Sequence, residues 1–333
     1  MIKYQGTYEE MVSVENLLAA WQEFLPGKRA KRDVAAFGAN LLDNVIELHE
    51  DLATGHYRHG GYAHFRVADP KPRDIHKASI RDRLLHHAIH RQLYPFFDRM
   101  FIADSFSCRV GKGTHAALDR FRRMAWKESR NGSRTCWALK CDVRKFFASV
   151  DHAILRRILT EYVLDKKIAG LLEEVIESFE VAPGKGLPLG NLTSQLFANV
   201  YLNELDQFVK HFLKAKRYIR YADDFVVFSY DRQFLNTVLS SIRVFLRDRL
   251  ALEFHPDKIF IKTIASGVDF LGWVHCPDYR TLRTATKRRM FRRINESPAA
   301  ETPASYLGML SHGDAFKISQ DVRNAAWLAG DRQ

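Results

Sequence analysis

The chain has 333 residues, 46% of them hydrophobic and 27% charged, the composition of an ordinary globular protein that can bury a core. No apolar run approaches the roughly 18 residues of a membrane span and no secretory leader follows Met1, so we expect a cytoplasmic protein without membrane association. The excess of 51 basic over 39 acidic residues gives a net charge of +12, which predicts a polyanionic partner such as nucleic acid.

The first hundred residues are predicted to be mainly helical, because their apolar side chains recur at helical spacing. The predicted helices cover residues 8–24, 33–53 and 77–100, and the basic run GKRAKR joins the first two. An extended segment from Tyr57 to Val67 is predicted to end at the turn ADPKPR.

The rest of the chain mixes strands and helices without regular βαβ alternation, which indicates an α+β fold. The strands are predicted at 137–143, in a hairpin at 217–230, at 252–262 and at 268–275. The helices are predicted at 151–163, 165–180, 192–214 and 233–250, followed by a basic helical tail from Thr281. The four cysteines form no Cys-x-x-Cys pair and are expected to be reduced thiols.

Two adjacent carboxylates interrupt the strand-like stretch RYADDFVVF, residues 220–228. Asp is disfavoured in strands, and the neighbouring charges of Asp223 and Asp224 repel each other. Another lone aspartate, Asp142, ends the predicted strand in LKCDVRKFF. Three carboxylates brought together by two strands would form an oxygen-rich site suited to Mg²⁺, which would neutralise them. The alternative is that Asp223 and Asp224 are exposed residues of a hairpin turn.

YADD at 221–224 and DVRKFF at 142–147 resemble the aspartate motifs of reverse transcriptases. Further blocks similar to that family occur in the same order over nearly the whole chain. These blocks are DPKPRDIHKASIRDRLLHHAI, DSFSCRVGKGTHAAL, GLPLGNLTSQLFANVYLNELD, LEFHPDKIFI and VDFLGW. The resemblance implies a right-hand polymerase with fingers, an antiparallel palm sheet and a helical thumb. We expect an N-terminal helical extension at 1–60, fingers and palm at 61–272, and a basic thumb at 273–333.

The resemblance assigns the metal and nucleotide chemistry to particular residues. Asp142 and Asp223 would bind two Mg²⁺ ions directly, with Mn²⁺ as a substitute, and Asp224 would support them. Phe147 occupies the position of a steric gate against the 2′-hydroxyl of ribonucleotides. The remaining predicted nucleotide contacts are Lys71 and Arg73 at the triphosphate, Lys258 as proton donor to pyrophosphate, and Leu189, Gly190 and Gln195 behind the templating base pair.

The resemblance also implies contacts with the primer and the template RNA. Phe270, Leu271 and Gly272 would position the primer end. Arg109 and Lys112 would contact the template backbone, although a capped turn explains the R-x-G-K-G pattern equally well. Tyr221 in the YADD box and Lys287 and Arg288 in the basic tail complete the predicted primer and template contacts.

The middle block reads PLGNLTSQ, whereas most relatives have P-Q-G-x-x-x-S-P. With Leu189 in place of Gln and Gln195 in place of Pro, the block resembles enzymes of diversity-generating retroelements, which copy a template RNA with errors at adenines. Leu189 offers only apolar contact where glutamine could hydrogen-bond the nucleotide, so low fidelity is a hypothesis. The substitutions and the roughly sixty residues after Gly272 argue against retron and group II intron enzymes.

A short basic enzyme of this kind is expected to act with a small basic accessory protein or a structured non-coding RNA. One alternative is an antiphage-defence reverse transcriptase with its own non-coding RNA. An alternative of another class is an inactive RNA-binding protein on a polymerase scaffold, which the intact Asp142, Asp223 and Asp224 oppose.

Overall fold

The computed structural model describes residues 2–68, 72–296 and 301–330, with side chains described as far as residue 327. Helices and three antiparallel sheets make up this part of the chain, which confirms the predicted α+β class. None of its helices combines the length and the apolar character needed to cross a bilayer.

The N-terminal helices are shorter than predicted because polar residues divide them. The four helices are α1 (Tyr8–Val12), α2 (Val14–Phe24), α3 (Arg32–Ala39) and α4 (Leu41–Thr54). Ser13 divides the first pair, and its side chain accepts a 3.1 Å hydrogen bond from the Asn16 amide at the start of α2. Asn40 divides α3 from α4, whereas one continuous helix was predicted over residues 33–53.

A hairpin and a long helix follow the N-terminal helices. Strand β1 (Tyr62–Val67) pairs antiparallel with β2 (Arg73–Ala78), and α5 (Ile80–Asp98) comes next. The predicted extended segment began too early at Tyr57, and β2 was not predicted. The predicted helix 77–100 therefore starts later, at Ile80, after Ser79 caps it.

The central sheet has four antiparallel strands in the order β4-β5-β3-β6. Its strands are β3 (Trp137–Asp142), β4 (Tyr218–Tyr221), β5 (Asp224–Ser229) and β6 (Phe260–Thr263). The accompanying helices are α6 (Thr114–Glu128), α7 (Phe146–Ser149), α8 (His152–Thr160), α9 (Lys166–Glu177), α10 (Leu192–Gln207) and α11 (Arg232–Leu250). The sequence analysis did not predict α6, and α10 ends in a π-helical turn, Phe208–Phe212.

Alternate residues of the central strands enter two separate hydrophobic cores. On β5, Phe225 and Val227 pack into the core that includes α5, α10 and α11. Val226 and Phe228 point to the other face and join the core that includes α6. Because both faces are covered, the strand ends are held rigidly, and the carboxylates at those ends are fixed in place.

The last part of the chain differs most from the prediction. The predicted strand 252–262 is largely a loop with a 3₁₀ turn, Pro256–Lys258, since Pro256 cannot continue a strand, and only β6 is extended. The predicted strand 268–275 is a hairpin of β7 (Val268–Phe270) and β8 (Trp273–His275), and β9 (Arg280–Leu282) pairs with β8. Three helices follow: α12 (Thr284–Glu296), α13 (Glu301–Leu310) and α14 (Phe316–Gly330).

Candidate active site

The three aspartates predicted as metal ligands lie together at one end of the central sheet. Asp142 and Asp224 are direct cross-strand partners in the β3–β5 ladder. Asp223 lies in the two-residue turn that joins β4 to β5, and its carbonyl accepts a 3.3 Å hydrogen bond from the amide of Val143. The predicted hairpin with the two aspartates at its tip is therefore present, with Asp142 beside it.

Burial makes this carboxylate cluster electrostatically costly. Desolvation raises the pKa of Asp224 to about 7, although Lys140, whose Nζ lies 3.1 Å from Oδ2 of Asp224, opposes the shift. Burial and the neighbouring charge of Asp142 raise the pKa of Asp223, while Lys258 and Arg73 act in the opposite direction. The site therefore favours a cation among its carboxylates.

Lys258 provides one such cation. Its Nζ donates a 2.8 Å hydrogen bond to Oδ1 of Asp142, and the ammonium stays partly exposed. The amide of His255, in the same loop, donates to the carbonyl of Asp142 over 2.8 Å. The loop before β6 thus brings Lys258, the predicted proton donor to pyrophosphate, to the carboxylate of Asp142.

The donor set suits a hard divalent cation, although the side chains are not arranged as a finished metal site. Within the described ranges, no three His, Cys, Asp or Glu side chains converge in a geometry that could hold an ion. The side chain of Asp142 is engaged by Lys258, but the buried Oδ1 of Asp224 has no hydrogen-bond partner in the described part of the chain. An unpartnered buried carboxylate oxygen beside two further carboxylates fits Mg²⁺ or Mn²⁺.

The turn that carries Asp223 is strained, and a buried side chain stabilises it by a hydrogen bond. Ala222 has φ of 53°, in the left-handed region that residues with a side chain seldom adopt. The buried guanidinium of Arg220 donates a 3.0 Å hydrogen bond to the carbonyl of Ala222. Arg220 is thus a positioning residue for the turn.

A cavity of about 700 Å³ adjoins this part of the protein and brings several predicted nucleotide contacts together. Arg73, Phe147 and Leu189 all line it, with Lys145 beside Phe147. The cavity is large enough for a nucleotide, and its lining combines apolar groups with the cations of Arg73 and Lys145 and the carboxylates of Asp74 and Glu180. Lys71, predicted to bind the triphosphate, lies outside the described residues.

The loop that carries Leu189 is fastened to strand β2. The carbonyl of Leu189 accepts a 3.0 Å hydrogen bond from the amide of His76. The buried side chain of Asn191 donates to the carbonyl of His76 over 2.9 Å and accepts from the amide of Ala78 over 3.4 Å. Gly190, at φ of 113°, lies so close to β2 that a Cβ would come within 3.0 Å of Ile75.

Two predicted nucleotide or template contacts have internal roles in this conformation. The Arg109 side chain is only 6% exposed, because its guanidinium binds Asp98 and nearby carbonyls. The ammonium of Lys112 donates to the carbonyl of Ala103 over 2.8 Å. This geometry favours the capped-turn alternative for the R-x-G-K-G pattern. Gln195 lies in the first turn of α10 and is not among the described residues that line the 700 Å³ cavity.

The other predicted primer and template contacts occupy four different environments. Phe270 is fully buried and stacks on Phe121 with 5.1 Å between ring centroids, so it anchors the β7–β8 hairpin from inside. Leu271 and Gly272 form the tip of this hairpin, with φ of 51° and 85°. The Tyr221 hydroxyl lies 3.1 Å from that of Thr114. Lys287 and Arg288 lie on α12, where Arg288 is exposed.

Several residues that shape the site were not predicted from the sequence, namely Lys140, Asn191, Asp206 and Arg220. One signal for them was available in α10, where Asn199, Asn203 and Asp206 form a polar stripe at helical spacing in an otherwise apolar helix. A buried polar stripe requires buried partners, and Arg220, the one charged residue in the apolar run of β4, meets that need.

The sequence of this chain is similar to those of known proteins. The family model described as "Reverse transcriptase (RNA-dependent DNA polymerase)" matches residues 68–275, more than half of the chain. The matched segment contains the carboxylate cluster, the β7–β8 hairpin and every described residue that lines the 700 Å³ cavity except His64.

Individual relatives are distant. Protein YkfC of Escherichia coli is 22% identical over 300 residues, which cover 78% of this chain and 77% of YkfC. Group II intron-encoded protein LtrA of Lactococcus lactis is 22% identical over 287 residues, covering 66% of this chain and 46% of LtrA. The putative COX1/OXI3 intron 2 protein of Saccharomyces cerevisiae is 20% identical, covering 86% of this chain and 40% of its own length. The chain thus spans less than half of both intron-encoded relatives.

Proposed function

The chain belongs to the reverse transcriptase family, with relatives among group II intron-encoded proteins, and from this premise we propose that Asp142, Asp223 and Asp224 are the catalytic centre of its RNA-directed DNA synthesis. Members of this family depend on divalent metal ions and use an RNA template and deoxynucleotides. The observation that supports the assignment is the cross-strand pairing of Asp142 with Asp224, beside the turn that holds Asp223.

Asp142 and Asp223 would hold two Mg²⁺ ions, for which Mn²⁺ can substitute, and Asp224 would support them from the sheet. When held by these carboxylates, the ions would supply activation of a 3′-hydroxyl and neutralisation of charge on the leaving pyrophosphate. Arg220 keeps the turn in the conformation that presents Asp223. Arg73 would hold the triphosphate by charge-assisted hydrogen bonds, and Lys258 would protonate the leaving group.

Primer extension tests this assignment directly. We expect the full-length protein to extend a labelled DNA primer on an RNA template with dNTPs and Mg²⁺. Asp142→Asn and Asp223→Asn should each reduce the rate by several orders of magnitude and leave the protein folded, since each removes charge repulsion. Asp248→Asn is the matched control, because Asp248 is exposed and its partner among the described residues is Arg247. Equal extension by Asp223→Asn and by the control would refute the assignment, and failure of all proteins would favour an RNA-binding role.

We also propose that copying is error-prone at template adenines, as in diversity-generating retroelements. Leu189 supports this proposal, because it lines the nucleotide cavity with an apolar side chain that cannot hydrogen-bond a base. The check on base-pair geometry that a glutamine offers would then be missing. Gln195, the second unusual residue of the block, does not support it by position.

Misincorporation should be measured opposite each of the four template bases. We expect the error frequency to be highest opposite A, and Leu189→Gln to lower it severalfold. Leu192→Gln in the neighbouring first turn of α10 is the control for adding an amide nearby. An error frequency opposite A no higher than opposite G, C or U would contradict the proposal.

The template and the partner are inferred from the resemblance and from the net charge of +12. A dedicated RNA, with a small basic accessory protein or a structured non-coding RNA, fits a basic protein of this size. Sequencing of the RNA and cDNA that co-purify with the protein is the test. A template matched by a mutated genomic repeat supports diversification, whereas a non-coding RNA without a repeat pair supports antiphage defence.

A further inference from the structure

The 700 Å³ cavity has a wall of aromatic rings to which the proposed function assigns no role. His64, His76 and Phe179 line the cavity together with Arg73 and Phe147. The ring centroids of His64 and His76 are 4.9 Å apart, and those of His76 and Phe179 are 4.6 Å apart. The hairpin β1–β2 and the segment after α9 thus bring three rings to one surface.

These rings are held in place by their surroundings. The backbone of His76 is bonded on both sides, since its amide donates to Leu189 and its carbonyl accepts from Asn191. Phe179 packs edge-on against Tyr62 with 5.4 Å between centroids, and the Tyr62 hydroxyl lies 2.7 Å from that of Ser178. A preorganised ring loses little conformational entropy when a flat ligand stacks on it.

The charge of the wall suits a base better than a phosphate. Burial and the neighbouring His64 lower the pKa of His76, against the opposing charge of Asp74, and the lowered pKa favours the uncharged ring. The cations that line the cavity, Arg73 and Lys145, are separate side chains suited to phosphates. The cavity therefore divides its lining between charged groups and stacking surfaces, as nucleotide sites do.

We infer that His76 and Phe179 form a stacking subsite for a nucleobase of the nascent pair. The inference rests on the proposed function, because it assumes that the cavity holds the pair being copied. The nucleobase comes either from the template or from the incoming dNTP, and both present the same flat aromatic surface.

Single-nucleotide extension tests the subsite, because it measures the effects of a substitution on KM and on kcat separately. We expect Phe179→Ala to raise the KM for dNTP at least fivefold, or to weaken template binding by a similar factor, with a smaller change in kcat, because base–aromatic stacking has about this effect. Phe179→Trp should restore the wild-type value, and His76→Ala should act in the same direction as Phe179→Ala. Phe65→Ala is the matched control, since Phe65 is exposed on the same hairpin and does not line the cavity. Thermal denaturation confirms that each variant is folded.

Fluorescence identifies which nucleobase occupies the subsite, in a complex that cannot extend the primer. The protein is bound to a template and a primer that ends in a dideoxynucleotide. In the first arm, 2-aminopurine is the first unpaired template base. In the second arm, it is the base of the incoming triphosphate. If Phe179→Ala abolishes the quenching of 2-aminopurine in the first arm, the subsite binds the template base. If it abolishes the quenching in the second arm, the subsite binds the dNTP. Quenching by a wild-type protein that extends no primer would refute the proposed polymerisation and support the subsite. Wild-type KM and quenching in both Phe179→Ala and His76→Ala, or no restoration by Phe179→Trp, would overturn the inference.

Discussion

Arg220 and Asp206 form a bidentate ion pair in which both side chains are 0% exposed, with 2.6 Å between Nη2 and Oδ2 and 2.8 Å between Nε and Oδ1. The Tyr218 hydroxyl donates to the same carboxylate over 2.7 Å. Since Arg220 also bonds the carbonyl of Ala222, the pair connects helix α10 to the turn that presents Asp223. A buried pair of this kind adds little net stability over apolar residues, so its value lies in the position that it imposes.

Replacement of one partner or both separates stability from positioning. Arg220→Met should destabilise the protein by about 3–5 kcal/mol, because it leaves the Asp206 carboxylate buried without a counterion. The double variant Asp206→Leu/Arg220→Met should recover part of that loss in urea unfolding. Primer extension should remain low in the double variant, since Ala222 still lacks its donor. Recovery of activity together with stability would show that Arg220 has no positioning role.

Asn191 should couple the Leu189 loop to strand β2. Asn191→Ala removes two hydrogen bonds to β2 and leaves the part-buried carbonyl of His76 without its side-chain donor, at a cost of about 1–3 kcal/mol. We expect faster amide hydrogen exchange at 73–78 and 187–191, and little change in the paired strands β3 and β5. Asn236→Ala, at an exposed position of α11, is the control. Unchanged exchange in both segments would contradict the coupling.

The carboxylate site could be predicted from sequence because its information is local. A strand interrupted by Asp223 and Asp224 and a strand ended by Asp142 both reveal themselves by residue type and periodicity. Central strands such as β5 are buried on both faces, and their run of large apolar residues is just as visible. The α+β class follows from the same signals.

What could not be predicted depends on contacts distant in sequence. Strand β2 is polar and is fixed by β1 and by the Leu189 loop more than a hundred residues later, so nothing within it indicates a strand. Arg109 has the residue type of a template contact, and only its position beside Asp98 shows that it is used internally. Helix α6 begins at a glycine without a side-chain cap, which removes a usual start signal.

His275 should make the protein sensitive to acid. Burial, reinforced by Arg280 and Arg122, lowers the pKa of His275 to about 3 from 6.5, and its Nε2 has no hydrogen-bond partner among the residues that the structure describes. As pH drops below about 6.5, His275 therefore binds a proton in the unfolded chain but not in the folded protein, and the free energy of unfolding falls. Between pH 7.5 and pH 5 this amounts to about 2 kcal/mol.

His275→Phe keeps an aromatic ring against Phe121 and removes the titrating group. The difference in unfolding free energy between this variant and wild type should grow by about 2 kcal/mol in favour of the variant from pH 7.5 to pH 5. Urea unfolding at several pH values measures it. His211→Phe, at an exposed position, should give a profile parallel to wild type. A constant difference for His275→Phe would exclude this linkage.

Lys258 should compete with the divalent ion for Asp142. Its ammonium lies 2.8 Å from the carboxylate oxygen that would bind the ion, so the two cations exclude each other there. Lys258→Gln should therefore lower the Mg²⁺ concentration for half-maximal extension severalfold, and it should reduce kcat by about 100-fold if the lysine protonates pyrophosphate. Lys262→Gln on β6 removes a nearby exposed charge and is the control. A Mg²⁺ requirement shared by wild type, control and Lys258→Gln would mean that the contact seen with Asp142 does not oppose metal binding, and the lysine would then act only on the leaving group.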